Sequence, residues 1–268
     1  MNNLCISNLC ADIKSYKKFL NTVGHFKNIK GLDIAPLNIS KDWKSSENYA
    51  KKFYNLIKKN GLKINAVQGI FYKKNFSLLG DFVKNDNKVI SHFKKIIKLC
   101  KIFHCNKIIF GSSEFRNRNN HTIKYTDIIF KRFIKRIIPL LKKNNIIFCI
   151  ETIPKVYNSN YLYKFNQTCK IVKFFNNQFI KINFDSGIFF NSKLSPNVFI
   201  KNLNLIDNVQ ISEPFFNFFT SPSKYNLNFI KVLKKNFYQG AISLEIISRK
   251  FQEKKINQSI NNFIKLLK

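Results

Sequence analysis

Short apolar runs alternate with longer amphipathic stretches along almost the whole chain. The runs are rich in Ile, Phe and Val and predict eight β-strands, near residues 3–8, 29–35, 62–68, 106–111, 146–151, 179–185, 206–212 and 240–246. The stretches between them predict helices near 12–23, 44–60, 84–104, 124–143, 160–177, 194–204, 225–237 and 254–267. Within 88–100, for example, apolar side chains recur at the spacing of one helix face.

Eight consecutive βα units are the number that closes a (β/α)₈ barrel. We therefore predict an α/β fold of the TIM barrel class, with one domain over residues 1–268. An open, doubly wound sheet is the alternative that the same alternation permits. Apolar residues make up 45% of the chain, which is enough for the core of such a barrel.

Polar residues collect where the predicted strands end. In order along the chain they are Ser7, Asn8, Asp33, Gln68, Glu151, Asp185, Gln210, Ser212, Glu213 and Glu245. In a parallel barrel these ends meet at one mouth, where the chemistry of such folds takes place. Only 14 residues of the chain are acidic, so three acids at strand ends are unexpected. Glu151, Asp185 and Glu245 together predict a site for a hard divalent cation, against capping of strand ends as the simpler interpretation.

The other polar strand ends leave two interpretations open. Asp33 could belong to the site or only anchor a loop. Gln68 could bond a substrate hydroxyl or satisfy its own amide in the barrel wall. Glu213 could line the mouth or bond a neighbouring backbone amide, and Lys155 could reach the mouth from just past Glu151.

The formal charge of +33 invites a nucleic-acid interpretation, since basic surfaces attract phosphate backbones. The excess is nearly all Lys, however, and Lys, Asn, Ile, Phe and Tyr are all specified by AT-rich codons. We therefore attribute the charge to an AT-rich genome, and nucleic acid is disfavoured as a partner.

Compartment and membrane association are predicted from cysteines and hydropathy. The six cysteines form no Cys-x-x-Cys pair, which favours a reduced, cytoplasmic protein. His104 and Cys105 are neighbours, which we interpret as a coincidence at a helix end rather than as a metal or nucleophile site. No apolar run is long enough to span a bilayer, and the first residues carry no basic segment typical of a signal peptide.

The ordered set of strand-end motifs resembles the xylose isomerase-like barrel superfamily of sugar and sugar-phosphate isomerases and epimerases. The matching stretches lie at 6–9, 31–36, 64–68, 108–111, 149–151, 183–187, 209–214 and 243–245 and include Asn-Phe-Asp-Ser-Gly and Val-Gln-Ile-Ser-Glu-Pro. The resemblance implies carbohydrate metabolism, a small sugar or sugar phosphate as substrate, and a metal held by Glu151, Asp185, Gln210 and Glu245. Asn8, Gln68, Glu213 and Lys155 are candidate substrate-binding residues because of their positions at or just past the strand ends. The resemblance leaves a homodimer open.

Three positions depart from the family pattern. Gln210 stands where the family usually has histidine, so an all-oxygen ligand set would favour Mn²⁺ or Mg²⁺ over Zn²⁺. Ile188 replaces a substrate-contacting histidine, and Thr152-Ile153-Pro154 replaces a more usual Pro-Asn-Pro. Substrate recognition therefore cannot be transferred to this chain.

The chemistry that the resemblance implies is proton transfer next to a sugar carbonyl through an enediolate, with Glu151 and Glu245 as the acid–base pair. A non-catalytic barrel with a degenerate metal site, acting as a binding partner, is the alternative that Gln210 supports. An apurinic-site endonuclease is a further alternative, but it would need several histidines at the mouth, and His25, His92, His104 and His121 follow none of strands six to eight.

Overall fold

The computed structural model describes residues 3–190 and 192–268, and its eight parallel strands close into a barrel in chain order. The strands are β1 Leu4–Ser7, β2 Ile29–Ile34, β3 Lys63–Val67, β4 Lys107–Phe110, β5 Ile147–Glu151, β6 Ile180–Asp185, β7 Ile206–Ser212 and β8 Ile242–Glu245. The barrel closes where β1 pairs with β8, with Leu4 opposite Ile242. The predicted single-domain (β/α)₈ fold is confirmed and the open sheet is wrong; the exact domain limits stay a prediction.

Seven α-helices surround the strands within the described residues: α1 Tyr16–Gly24, α2 Ser46–Lys59, α3 Asp86–Ile102, α4 Ile123–Asn144, α5 Phe165–Phe175, α6 Lys224–Lys235 and α7 Glu253–Leu267. The helix predicted at 194–204 is wrong. The chain there forms 3₁₀ turns at Pro196–Val198 and Ile200–Leu205. Pro196 is tolerated only in a first turn, and Asn202 adopts a non-helical backbone with φ −129°, so an α-helix cannot extend through both.

The layer between strands and helices is filled largely by phenylalanine. Around β4 the rings of Phe110, Phe133 and Phe148 contact one another, and Phe71 stacks on Phe115 with centroids 4.1 Å apart. Offset and edge-on aromatic pairs add to the free energy of burial itself. This packing supports the loop that follows β4, which covers one side of the barrel mouth.

The inside of the barrel is unusually polar. Lys107, Asn183, Asn208 and Gln210 are buried there, and their side chains bond one another instead of packing apolar layers. Buried polar groups are tolerated when each is paired, so this interior depends on a connected set of hydrogen bonds. No helix of the described chain has the length and hydropathy needed to cross a membrane.

Candidate functional site

A cavity of about 490 Å³ opens at the carboxyl ends of the strands. Its floor and walls include Gln68 after β3, Gly111 after β4, Glu151 at the end of β5 and Glu245 at the end of β8. The loops contribute Phe216 and other side chains above these groups, namely Leu9, Asn38, Tyr72, Glu114, Ile153 and Arg249. Both predicted glutamates therefore line one cavity, because the last residues of parallel strands lie at the same end of the barrel.

The three predicted acids lie close together and are buried. Glu151, Asp185 and Glu245 are only 6%, 3% and 6% exposed. Asp185 lies in a small recess beside the main cavity, and Glu151 lines both spaces. Asp185 Oδ1 accepts hydrogen bonds from Ser212 Oγ at 2.6 Å and from the Gly187 N–H. Its other oxygen, Oδ2, is buried and receives no hydrogen bond from the described residues.

Burial and mutual repulsion raise the pKa values of all three acids. Burial, then the charge of Asp185, raises the pKa of Glu151 to about 8, although Arg116 and Asn183 act in the opposite direction. Burial, then Asp185 and Glu151, raises the pKa of Glu245 well above its usual value. Burial also raises the pKa of Asp185, against the hydrogen bonds that it accepts. Three acids this close favour either bound protons or a compensating cation.

The chemistry of these donors fits a hard cation, although the present side-chain positions do not coordinate one. The charge of Asp185 raises the pKa of Glu245, so a cation held between the two carboxylates would relieve their repulsion. The unpaired Asp185 Oδ2 is a further free oxygen ligand. Among residues 3–190 and 192–268, no three Asp, Glu, His or Cys side chains are arranged to hold an ion, so binding would require these acids to move.

Gln210 lies beneath the acids, at the centre of a network of amide side chains. Its Oε1 accepts a hydrogen bond from Asn183 Nδ2 at 2.5 Å. Its Nε2 faces Gln68 Oε1 at 3.0 Å, Asp33 Oδ2 at 3.3 Å and Glu245 Oε1 at 3.4 Å. The ligand role of Gln210 stays a prediction, and the atom turned toward Glu245 is a nitrogen, which cannot ligate a cation while it is an amide N–H₂.

Gln68 and Asp33 belong to the same network. Gln68 lines the cavity, but its Nε2 donates to Ser7 Oγ at 2.6 Å, so much of its bonding capacity is used in the barrel wall. Asp33 is fully buried and accepts a hydrogen bond from Asn65 at 2.6 Å. Burial raises its pKa, against the bonds that it accepts. Asp33 therefore lies within the interior network and not in a loop.

Three other predicted substrate-binding residues are engaged with the protein. Asn8 is buried and bonds both backbone groups of Ala35, at 2.7 Å to the N–H and 3.3 Å to the carbonyl. Glu213 accepts from the Ser223 N–H at 3.0 Å, at the start of α6, which matches the backbone-amide alternative. Lys155 is exposed, with its ammonium 4.7 Å from the Tyr163 ring centre. Their roles toward a substrate stay predictions.

Arg116 is a buried residue of the site that the sequence analysis missed. It is fully buried on the loop after β4, and its Nη1 donates to the Glu151 carbonyl at 2.8 Å. Within the described chain its Nε and Nη2 have no hydrogen-bond partner. Burial lowers the pKa of Arg116 to about 10, although the neighbouring Glu151 raises it. Because arginine is scarce in this chain, Arg116 could have been singled out from the sequence as a candidate.

Aromatic side chains cover the acids from above. Phe216 lines both the cavity and the Asp185 recess, and its ring centre lies 5.2 Å from that of Tyr157. The Tyr157 hydroxyl accepts a hydrogen bond from the Phe215 N–H at 3.1 Å. Both phenylalanines have φ of 56°, a strained value for a bulky residue. Phe216 therefore forms part of the wall of the recess that holds Asp185.

The four histidines lie away from the acids, and none of them lines the cavity described here. His92, for example, is buried on α3, where its Nε2 lies 2.7 Å from the Ile70 carbonyl oxygen. Burial lowers the pKa of His92 to about 4. The histidine-rich metal cluster that an endonuclease would need is therefore not assembled by the described residues.

Comparisons with known proteins place this geometry in a family. The sequence profile described as xylose isomerase-like TIM barrel matches residues 29–266. Similar solved structures include a D-psicose 3-epimerase determined in the presence of D-fructose, at 12% identity and TM-score 0.81, covering 99% of each chain. The 3-keto-D-glucoside 4-epimerase YcjR from E. coli has 12% identity and TM-score 0.77, again over 99% of each chain. The IolI protein with a bound zinc atom has 12% identity and TM-score 0.75, over 99% of this chain and 98% of that one. No curated protein sequence matches.

Proposed function

The chain belongs to the xylose isomerase-like TIM barrel family, and on that premise we propose that it is a sugar isomerase or epimerase. Its substrate would be a small ketose or ketose phosphate that enters the cavity of about 490 Å³. The observation that carries the proposal is that Glu151 and Glu245, from β5 and β8, line one cavity in a buried setting.

The two glutamates suit reversible proton transfer. Burial and the charge of Asp185 raise the pKa of Glu151 to about 8 when no cation is bound, so in that state this acid takes up and releases a proton near neutral pH. One glutamate removes the proton next to the carbonyl, which leaves an enediolate. The other returns a proton, to the opposite face in an epimerisation or to the neighbouring carbon in an isomerisation. Which glutamate acts first depends on the substrate.

Glu151, Asp185 and Glu245 are the residues that would hold a divalent cation, with Mn²⁺ or Mg²⁺ favoured by their oxygen donors. When bound, such an ion supplies a Lewis acid that polarises the carbonyl. The protein itself contributes the fixed positions of the acids. Gly187 and Ser212 hold Asp185 through its Oδ1, and Asn183 holds Glu151 through its Oε2 at 2.9 Å.

The test is turnover of a panel of ketoses and ketose phosphates with Mn²⁺ by wild type and Glu245→Gln. Loss of an acid–base group should lower kcat roughly 10²- to 10⁴-fold. Glu114→Gln is the matched control, because Glu114 lines the same cavity but is exposed. Substantial activity in Glu245→Gln, at a level near that of Glu114→Gln, would reject the assigned role.

The second candidate is a non-catalytic barrel with a degenerate metal site that acts as a binding partner. The Gln210 amide favours this reading, because its nitrogen and not its oxygen faces the acids. Metal analysis of the purified protein separates the two candidates. A protein without metal whose melting temperature ignores added Mn²⁺ would support the non-catalytic candidate, since a ligand of the native state must stabilise it.

A cytoplasmic location and a homodimer complete the proposal. The location rests on the cysteine pattern of the sequence, and the dimer on the family resemblance. Light scattering of the purified protein would measure its oligomeric state directly.

A further inference from the structure

We infer that Lys107 fixes the orientation of Gln210, so that Gln210 is a hydrogen-bond donor to Glu245 and not a metal ligand. The inference rests on the proposed function only in taking the acid cluster as the active site. The orientation itself can be measured without turnover.

Lys107 sets the direction of the network because an ammonium group only donates. It lies at the first residue of β4, inside the barrel, and is 9% exposed. Its three protons match three acceptors at the start of β7: Asp207 Oδ2 at 2.9 Å, the Asp207 carbonyl at 3.1 Å and Asn208 Oδ1 at 3.3 Å. The oxygen of the Asn208 amide is therefore held toward Lys107.

The orientation of Asn208 determines that of the next amide, Asn183. With its oxygen facing Lys107, Asn208 directs Nδ2 to Asn183 Oδ1 at 2.8 Å. Asn65 reinforces the arrangement, because its Nδ2 donates to the same Asn208 oxygen at 3.0 Å and to Asp33 Oδ1. The nitrogen of Asn183 is thereby left to face the barrel mouth.

At the barrel mouth, the orientation of Asn183 determines the orientation of Gln210. Asn183 Nδ2 has two protons, and they go to Glu151 Oε2 at 2.9 Å and to Gln210 Oε1 at 2.5 Å. Gln210 Nε2 is then turned toward Gln68 Oε1, Asp33 Oδ2 and Glu245 Oε1. Each donor in this series from Lys107 meets an acceptor, and each amide oxygen meets at least one donor.

The reverse orientation sets donors against donors and acceptors against acceptors. Flipping Gln210 alone would set its N–H₂ against the N–H₂ of Asn183 and its oxygen against the amide oxygen of Gln68. Flipping every amide would set the nitrogen of Asn208 against the ammonium of Lys107. Unpaired donors and acceptors at such buried positions are costly, so one orientation dominates.

The consequence concerns the predicted ligand set. Gln210 would support the Glu245 carboxylate from below through its N–H, and the protein ligands of an ion would be the three carboxylates alone. Gln210 and Lys107 are thus positioning residues, Lys107 acting through Asn208 and Asn183.

The experiment is NMR of ¹⁵N-glutamine-labelled protein, in which the Gln210 side-chain signal is the one missing from Gln210→Leu. In wild type we expect slow hydrogen exchange of this amide, both without metal and with saturating Mg²⁺. Rotation of the oxygen onto an ion would release the N–H₂ from Glu245, so exchange that becomes fast on Mg²⁺ binding would overturn the donor role. Slow exchange without any Mg²⁺ binding would count against the metal proposal and leave the orientation supported.

Two variants test the control by Lys107. Lys107→Met removes the ammonium, and Asn208→Asp keeps the shape and the acceptors of Lys107 but removes the donor to Asn183. Each should speed hydrogen exchange of the Gln210 amide roughly tenfold or more, because that is the effect expected when a hydrogen bond to a charged group is lost. If Lys107→Met does not fold, Asn208→Asp alone tests the inference. Lys181→Met is the matched control, because Lys181 is a strand lysine that bonds only the exposed Asn204 carbonyl. Unchanged exchange in a folded test variant would overturn the inference.

Discussion

Replacing Glu151 by Gln should stabilise the protein at neutral and alkaline pH when no metal is present. Glu151 is 6% exposed, and burial followed by the charge of Asp185 raises its pKa from 4.5 to about 8. In the folded state the acid therefore keeps its proton over a range in which the unfolded chain has lost it. The contribution of Glu151 to the free energy of unfolding is largest below pH 4.5. It declines as pH rises from there to about pH 8.

The size of this loss follows from the shift. One pKa unit corresponds to about 1.4 kcal/mol, so the ionised form of Glu151 costs the folded state about 5 kcal/mol above pH 8. At pH 7 the cost is about 3 kcal/mol. Glutamine has no proton to lose, and its oxygen can still accept from Asn183. The wild type should lose several kcal/mol between pH 5 and pH 9 that Glu151→Gln retains.

Urea unfolding at pH 5, 6, 7, 8 and 9 in the presence of a chelator measures this difference, by linear extrapolation of the free energy of unfolding. Glu114→Gln is the control, since its exposed carboxylate is already solvated in the folded state. We expect Glu114→Gln to follow the wild type and Glu151→Gln to diverge upward as pH rises. Parallel profiles for wild type and Glu151→Gln would refute the claim that this acid is destabilised by its surroundings.

Three further predictions concern the site and its support. Gly111→Ala should lower kcat/KM about 100-fold, because the added Cβ would lie 2.9 Å from Glu151 Oε2 and displace that carboxylate; wild-type kinetics in this variant would contradict the tight contact. Asn8→Ala should lower the free energy of unfolding by about 1–3 kcal/mol, because it leaves the buried N–H of Ala35 without its acceptor, and urea unfolding measures this loss. Mn²⁺ at 100 times its Kd should stabilise the wild type by about 2.7 kcal/mol, seen as a higher melting temperature, and Asp185→Asn should reduce the shift. An equal shift in Asp185→Asn would remove Asp185 from the proposed ligands.

Much of the fold was predictable because the alternation of apolar runs and amphipathic stretches is a local property. Each predicted strand was found, with ends that differ by a residue or two. The segment 194–204 failed because its apolar spacing resembles a helix, whereas Pro196 and the surrounding asparagines favour tight turns. Periodicity alone does not weigh such backbone preferences.

The acids of the site were predictable for a different reason. In a chain with few carboxylates, Glu151, Asp185 and Glu245 at strand ends are conspicuous, and parallel topology then brings their strand ends together. The asparagines beneath them, Asn183 and Asn208, were not identified, because asparagine is abundant here and no single Asn stands out. Their two-residue spacing along β6 and β7, with Asn183 before Asp185 and Asn208 before Gln210, is the signal that was present.

The interior network also changes how the abundant lysines are understood. Nucleotide bias can account for lysines on solvated helix faces, but it does not account for Lys107, the buried lysine of the described chain. A buried ammonium is stable only when its protons are paired, and here all three acceptors come from Asp207 and Asn208. A neutral amide at position 107 could donate or accept, and it would permit either orientation of the side chains above it. Because lysine permits only one, a cation at the amino-terminal end of the barrel determines which atom of Gln210 faces the acids at the opposite end.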